Sequence, residues 1–161
     1  MSIGATALLL AACDRGLPTL PDEIPFRNPT ATIAGTVRFD PGRFAGEWFI
    51  VARFTDDVDT RRVYLFDPLS GVMQEREGEE QRDYRVTAPG VLEQISPPSG
   101  ETLVVMWVDD GFRTAAVGTA SGSRGVILDR RPGSSPDRLA AAREILDFNG
   151  WDTSRLQEVT E

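Results

Sequence analysis

Short apolar runs separated by turn residues fill most of the chain from Phe44 onward. Within these runs apolar and polar side chains tend to alternate, which is the pattern of strands that bury one face. Turn pairs such as Asp110-Gly111 favour hairpins between them. The predicted strands are residues 47–55, 62–66, 84–87, 91–95, 102–108, 113–117 and 124–130, with a last short strand at 156–160. This spacing predicts an all-β, antiparallel barrel or sandwich.

One segment near the C-terminus has a different period. Ser135-Pro136-Asp137 offers an N-cap, a proline at the first helical position and an acid near the positive end of a helix. Apolar side chains then recur at helical spacing up to Phe148, and Asn149-Gly150 is a stop signal. The pattern predicts a single C-terminal helix over residues 136–148.

The first forty residues differ from the rest of the chain. An apolar run ends in Ala11-Ala12 and is followed by Cys13, the only cysteine. This arrangement resembles a bacterial lipobox, which implies that residues 1–12 are a signal peptide and that Cys13 carries acyl chains. The alternative is an apolar N-terminus with an incidental cysteine. Scattered prolines predict an extended tether over residues 13–40, before a domain at 41–161.

Composition narrows the chemistry further. The formal net charge of −8 disfavours nucleic acid as a partner. The chain has no histidine, which excludes Ser–His and Cys–His nucleophilic sites as well as His-ligated metal or haem. We therefore expect a protein that is not an enzyme and that uses neither a cofactor nor a metal.

Three segments, in this order, resemble the motifs of the lipocalin family, many of whose bacterial members are lipoproteins. Residues 44–54 resemble the first strand, residues 109–118 the turn between strands six and seven, and residues 127–132 the end of strand eight. The resemblance implies an up-and-down, eight-stranded, calycin-type barrel and gives Gly46, Trp48 and Arg130 a structural role. Packing of the Arg130 guanidinium on the Trp48 indole would provide a cation–π contact and donors for backbone carbonyls at the closed end.

The same resemblance implies a binding function in the cell envelope. The expected ligand is a small hydrophobic or amphipathic molecule such as a fatty acid or lysophospholipid, bound by a protein held in the inner or outer membrane through Cys13 and facing the periplasm. Alternation along the first and eighth strands, and the bulk of strand six, point to the inward side chains. The predicted ligand-lining residues are Ile50, Ala52, Phe54, Trp107, Val126 and Leu128. The alternative is a structural or protein-interaction lipoprotein whose barrel is filled.

The weakest strand pattern lies between residues 58 and 84. The interval from Trp48 to Arg130 is close to the minimum of about 80–90 residues that eight short strands with loops require. Two strands in this middle region are therefore expected to be short, or the barrel to be open there. The region also carries an acidic cluster, which we expect to be a solvated surface or the guard of a sheet edge rather than a calcium loop. Its members are Glu75, Glu77, Glu79, Glu80 and Asp83.

Overall fold

Eight antiparallel strands close into a barrel in the computed structural model, which describes residues 25–57 and 59–159. Each strand pairs with the next along the chain, and β1 also pairs with β8, so the sheet closes on itself. The strands are β1 (Gly46–Arg53), β2 (Arg61–Asp67), β3 (Val72–Glu77), β4 (Glu80–Ala88), β5 (Val91–Ser96), β6 (Thr102–Val108), β7 (Thr114–Thr119) and β8 (Gly125–Asp129). A two-residue strand, β9 (Gln157–Glu158), pairs with Ala52 and Arg53 at the end of β1, beyond the part that pairs with β2. The predicted up-and-down barrel is confirmed.

Two α-helices and one 3₁₀ turn (Thr153–Arg155) accompany the barrel in the described residues. A single turn, α1 (Pro41–Phe44), precedes β1, and α2 (Pro136–Phe148) follows β8. The Ser135 side chain accepts a hydrogen bond from the Arg138 backbone N–H, so α2 begins at the predicted cap. Among the residues described, no helix combines the length and apolar character needed to cross a membrane.

The two ends of the barrel are bounded by different parts of the chain. We call the end next to α1 the plug end. The opposite end, which we call the mouth, is bounded by the connections 54–60, 78–79, 97–101 and 120–124. Because consecutive strands are antiparallel, all four of these connections lie on one side.

The strands in the middle of the chain are not shortened. Strand β3 has six residues and β4 has nine, and the two pair over six positions. The expectation of two short strands or an open side in this region was therefore wrong. Alternation was hard to see because inward positions of β3 carry Glu75 and Glu77, which are buried charged residues rather than apolar ones.

Two separate apolar clusters stabilise the fold. The inner cluster fills the barrel, and the outer cluster lies between the barrel wall and α2. In the outer cluster the Trp151 ring lies directly on two glycines: a Cβ built on Gly118 or Gly125 would come within 2.2 or 2.4 Å of that ring. Glycine at both positions is what lets the segment after α2 pack against the barrel.

Residues 26–36, which the sequence placed in the tether, lie against the outside of the barrel; we call them the strap. Phe26 packs on Phe54 with ring centroids 5.6 Å apart, and the Thr36 backbone N–H donates to the Val105 carbonyl at 2.9 Å. The buried Arg27 guanidinium donates to the carbonyls of Ala31, Ala120 and Asn149. These contacts fix the strap although its prolines indicated an extended chain. Residues 1–12 and Cys13 lie outside the described residues.

Candidate functional site

The plug end is sealed by one aromatic–cation pair. The Arg130 guanidinium lies 3.8 Å from the centroid of the Trp48 ring. It also donates to five backbone carbonyls, those of Arg43, Phe44, Ala45, Glu47 and Phe112. The Trp48 indole N–H in turn donates to the Phe44 carbonyl at 2.8 Å. Neutral carbonyl acceptors thus stabilise the Arg130 cation, and none of its hydrogen bonds among the described residues goes to a carboxylate.

The packing of Arg130 at the plug end also requires a glycine at position 46. Its φ of +107° lies in a region that L side chains rarely adopt, and a Cβ there would be 3.0 Å from Nη1 of Arg130. The residue therefore turns the chain from α1 into β1 while leaving room for the guanidinium.

The mouth is built from charges instead. Glu75 is fully buried, and its two carboxylate oxygens accept hydrogen bonds from the hydroxyls of Tyr64 and Tyr84, both at 2.9 Å. Nη1 of Arg62 is 3.3 Å from Glu75 Oε1, and Nη1 of Arg124 is 3.6 Å from Oε2. A carboxylate inside the barrel is thus held by two hydroxyl groups and flanked by guanidinium groups.

A second carboxylate, that of Glu77, lies nearer the connections of the mouth. It accepts a hydrogen bond from Arg62 at 3.0 Å. Nη1 of Arg82 and Nη1 of Arg124 lie 3.8 and 3.9 Å from its Oε2, beyond hydrogen-bond distance. We call the five side chains the mouth cluster: Arg62, Glu75, Glu77, Arg82 and Arg124. The predicted acidic surface is therefore wrong for Glu75 and Glu77, which point into the barrel because alternate residues of β3 face inward.

Burial and charge shift several pKa values in and beside this cluster. Burial alone would raise the pKa of Glu75, but the charges of Arg62 and Arg124 and the two tyrosine hydrogen bonds hold it below its ordinary value. Burial and the nearby carboxylate raise the pKa of Tyr64 and that of Tyr84. Burial would lower the pKa of Arg62, yet Glu75 and its other neighbours raise it. Glu75 and Arg62 are therefore both ionised at neutral pH.

Three buried nitrogens of the mouth cluster have no hydrogen-bond partner: Arg62 Nε, Arg82 Nη1 and Arg124 Nη1. Each belongs to a different guanidinium. A buried donor without an acceptor is unfavourable, so a further acceptor beside these nitrogens would be stabilising. The mouth therefore has donor capacity that the described residues do not use.

The predicted ligand-lining residues divide between the two clusters. Ile50, Val126 and Leu128 belong to the inner cluster. Ala52 and Phe54 belong to the outer cluster, so the expectation that they share a face with Ile50 was wrong. The cause is an irregularity in the pairing of β1 with β8 between Ile50 and Ala52, which reverses the alternation.

The prediction that Trp107 lines the lumen was wrong for the same kind of reason. The pairing of β6 with β7 shifts register between Val105 and Trp107, so Val105 and Val108 face inward. The Trp107 side chain is partly buried against the outer cluster. The sequence did not place Trp107 correctly because an irregularity of this kind leaves no mark in the apolar pattern.

The lumen itself is filled. The large inward side chains are almost fully inaccessible to solvent: Phe44, Trp48, Tyr64, Met73, Tyr84, Leu92, Leu103 and Leu128. A groove of about 340 Å³ lies outside the barrel between β1, α2 and the segment that joins β8 to α2. No group of acidic or sulfur ligands suited to a metal ion occurs within residues 25–57 and 59–159.

The mouth cluster was missed at the level of sequence, although a signal was present. Arg62-x-Tyr64, Glu75-x-Glu77 and Arg82-x-Tyr84 each place two polar or aromatic groups at a spacing of two. Residues two apart on a strand share one face, and the three pairs lie on the neighbouring strands β2, β3 and β4. Opposite charges at this spacing on adjacent strands indicate a buried ion-pair layer.

One comparison with known proteins bears on this geometry. The crystal structure of the major allergen Per a 4 from cockroaches matches with a TM-score of 0.60, over 82% of this chain and 95% of that one, at 13% sequence identity. The fold is lipocalin-like. No protein-family model matches the chain, and no curated protein matches its sequence. At this identity the match describes the fold alone.

Proposed function

We propose that the protein is a lipid-anchored, lipocalin-like barrel that binds a small amphipathic molecule, such as a fatty acid or lysophospholipid, in the bacterial cell envelope. The observation that carries this proposal is the asymmetry of the barrel. One end is sealed by Trp48 and Arg130, the interior is apolar, and the other end holds arginines with unused donors. Apolar walls with a few converging polar groups suit a ligand that has a tail and a charged head.

Space for a tail has to come from side chains that can move. Met73 is unbranched, and thioether side chains adapt to irregular neighbours. It lies opposite Phe66 in the β2–β3 pair, and Phe66 and Val86 are only partly buried against the inner cluster. The part of the barrel wall that carries these three side chains is therefore where we propose that the filled lumen opens to admit a tail.

The packing also favours a second candidate, an interaction protein whose barrel holds no ligand. The carboxylate of Glu75 already occupies the centre of the tyrosine and arginine groups in the mouth. Trp48, Tyr64 and Tyr84 are inaccessible to solvent. In this candidate the mouth cluster is a structural layer, and the function resides on the outer surface.

The path of the strap supports an anchor near the mouth. The Phe26 N–H donates to the Gly122 carbonyl in the β7–β8 connection, so the chain enters the described domain at that end. Pro25 lies twelve residue steps after Cys13, and a fully extended chain of that length spans about 40 Å. Acylation of Cys13 would therefore hold the mouth within reach of a bilayer and of its lipids.

The binding proposal is tested with the full chain carrying Cys13→Ser, so that acyl chains on the protein do not obscure bound lipid. Native mass spectrometry detects a co-purified molecule, and calorimetric titration with dodecanoate measures binding. We expect saturable binding in the micromolar range or tighter. Absence of both an adduct and a heat of binding would favour the filled-barrel candidate.

A matched pair of substitutions locates the ligand. Met73→Phe adds bulk inside the barrel, whereas Met106→Phe adds the same bulk to the outer cluster. Overpacking strains either site, so thermal melting of both variants monitors folding. Loss of dodecanoate binding in the first variant alone places the ligand in the lumen. Equal effects of the two substitutions would contradict that location.

The anchor is tested separately. Mass spectrometry of the N-terminal peptide from a bacterial host should show a chain that begins at an acylated Cys13. Cys13→Ser should abolish the acyl mass and leave residues 1–12 on the chain. An unmodified cysteine, or a soluble wild-type protein, would contradict the lipoprotein proposal.

A further inference from the structure

We propose that Arg82 and Arg124, at the mouth of the barrel, bind an oxyanion head group, a carboxylate or a phosphate monoester, which replaces Glu80 as the partner of Arg82. The inference rests on the proposed function for the tail of the ligand and adds the chemistry of its head. Free anions and lipid head groups share this chemistry, and the experiment below distinguishes the two sources.

Charge balance inside the barrel supports the site. The mouth cluster brings three guanidinium groups together with only two carboxylates. The remaining compensation comes from Glu80, whose carboxylate contacts Arg82 and whose side chain is 67% exposed. An exposed ion pair is weak because water and salt screen it. Glu80 is therefore the partner that a ligand displaces most easily.

The unpartnered donors indicate where in the mouth cluster an oxygen atom of the ligand would bind. Nη1 of Arg82 and Nη1 of Arg124 have no hydrogen-bond partner, and they lie 3.7 and 3.6 Å from Oε2 of Glu75. That oxygen already accepts a hydrogen bond from the Tyr84 hydroxyl. A further acceptor near the two arginines would satisfy donors that the carboxylates of the cluster do not reach.

Access decides which arginines contact a ligand first. The side chains of Arg82 and Arg124 are 17% and 19% exposed, whereas that of Arg62 is 3% exposed. Arg62 also donates to Glu77 at 3.0 Å, which anchors the inner layer. The two outer arginines therefore form the accessible layer, and the charges of the inner layer stay in place when a ligand binds.

The experiment compares three probes on the full chain carrying Cys13→Ser: dodecanoate, dodecanol and inorganic phosphate. Calorimetry measures affinity, and thermal melting measures stabilisation. We expect dodecanoate to bind at least about tenfold more tightly than dodecanol, since hydrogen bonds to a charged group are the stronger ones. Dodecanol supplies the tail without the charge, and phosphate supplies the charge without the tail.

Substitutions then test which residues bind the head group. Arg124→Gln should weaken dodecanoate binding about tenfold and leave dodecanol within about twofold. Arg82→Gln repeats the test if Arg124→Gln does not fold. Glu80→Gln should strengthen dodecanoate binding by about two- to fivefold, because the competing carboxylate is removed. Arg61→Gln is the matched control, since Arg61 precedes Arg62 on β2 and its side chain is 64% exposed.

The outcomes separate the two proposals. Preference for dodecanoate that depends on Arg124 or Arg82 supports both. Equal binding of dodecanoate and dodecanol would overturn the oxyanion site and leave the proposed function intact. Stabilisation by phosphate alone, lost in Arg124→Gln, would support the site with a free anion as its ligand and contradict the amphipathic ligand. No response to any probe would overturn both.

Discussion

Both ends of the barrel are closed by arginine, but the partners of the arginines differ. At the plug end one guanidinium, that of Arg130, stacks on Trp48 and donates to neutral backbone carbonyls. At the mouth three guanidinium groups share two carboxylates, and buried donors remain unpartnered. Carbonyl acceptors cannot change their charge, whereas carboxylates can be protonated or replaced. The Arg130 seal therefore depends on no acceptor that titrates, whereas the charge balance of the mouth cluster can be altered.

The largest effect is expected from Glu75→Gln. Removing one charge of a buried ionic group leaves the arginines uncompensated, which costs about 3–5 kcal/mol in the free energy of unfolding. Chemical denaturation at neutral pH measures the loss. Glu47→Gln is the control, because Glu47 is half-exposed and paired with an exposed arginine, and its change should stay below about 1 kcal/mol. Equal effects would contradict the assignment of Glu75 to the interior.

A smaller loss, about 2–4 kcal/mol, is expected from Arg130→Gln, because it removes a cation–π contact and several hydrogen bonds. The exposed neighbour Arg131→Gln should change stability little. Arg130→Lys tests the geometry of the plug, since an ammonium group cannot donate in the planar pattern that the carbonyls require. Full stability in Arg130→Lys would show that charge alone is sufficient there.

Gly46→Ala should cost about 1–3 kcal/mol, the usual range for a residue in an unfavourable backbone conformation. The added Cβ also approaches the Arg130 guanidinium at 3.0 Å. In the Arg130→Gln background the steric part of the effect should fall, and a double-mutant cycle measures that coupling. Strict additivity would indicate that backbone conformation is the whole cause.

Mild acidification is expected to have the smallest effect. The pKa of Glu75 is lower in the folded protein than its ordinary value, mainly because arginine charges and tyrosine hydrogen bonds outweigh its burial. Its stabilising contribution is therefore present above the ordinary pKa of a glutamate and is lost as the pH falls through the folded-state value. Thermal melting from pH 6 to pH 3 should show this loss in the wild type and less of it in Glu75→Gln.

The plug end was predictable from sequence and the mouth was not. Trp48 and Arg130 could be paired because the two segments that carry them resemble lipocalin motifs. Strand β3 escaped detection because its inward side chains are Met73, Glu75 and Glu77, which break the apolar alternation. Ala52 was assigned to the wrong face because register shifts between paired strands do not appear in one strand's pattern.

The strap has a mechanical consequence. If the protein is held by its N-terminus, a pull on the domain reaches Pro25 and Phe26 first and then the Arg27 guanidinium. This guanidinium is bonded to three separate segments: the strap at Ala31, the β7–β8 connection at Ala120 and the end of α2 at Asn149. Tension is thus divided among them before it reaches the barrel sheet. Arg27→Ala should lower the force at which the N-terminal segment peels away, while the eight strands keep their resistance to unfolding.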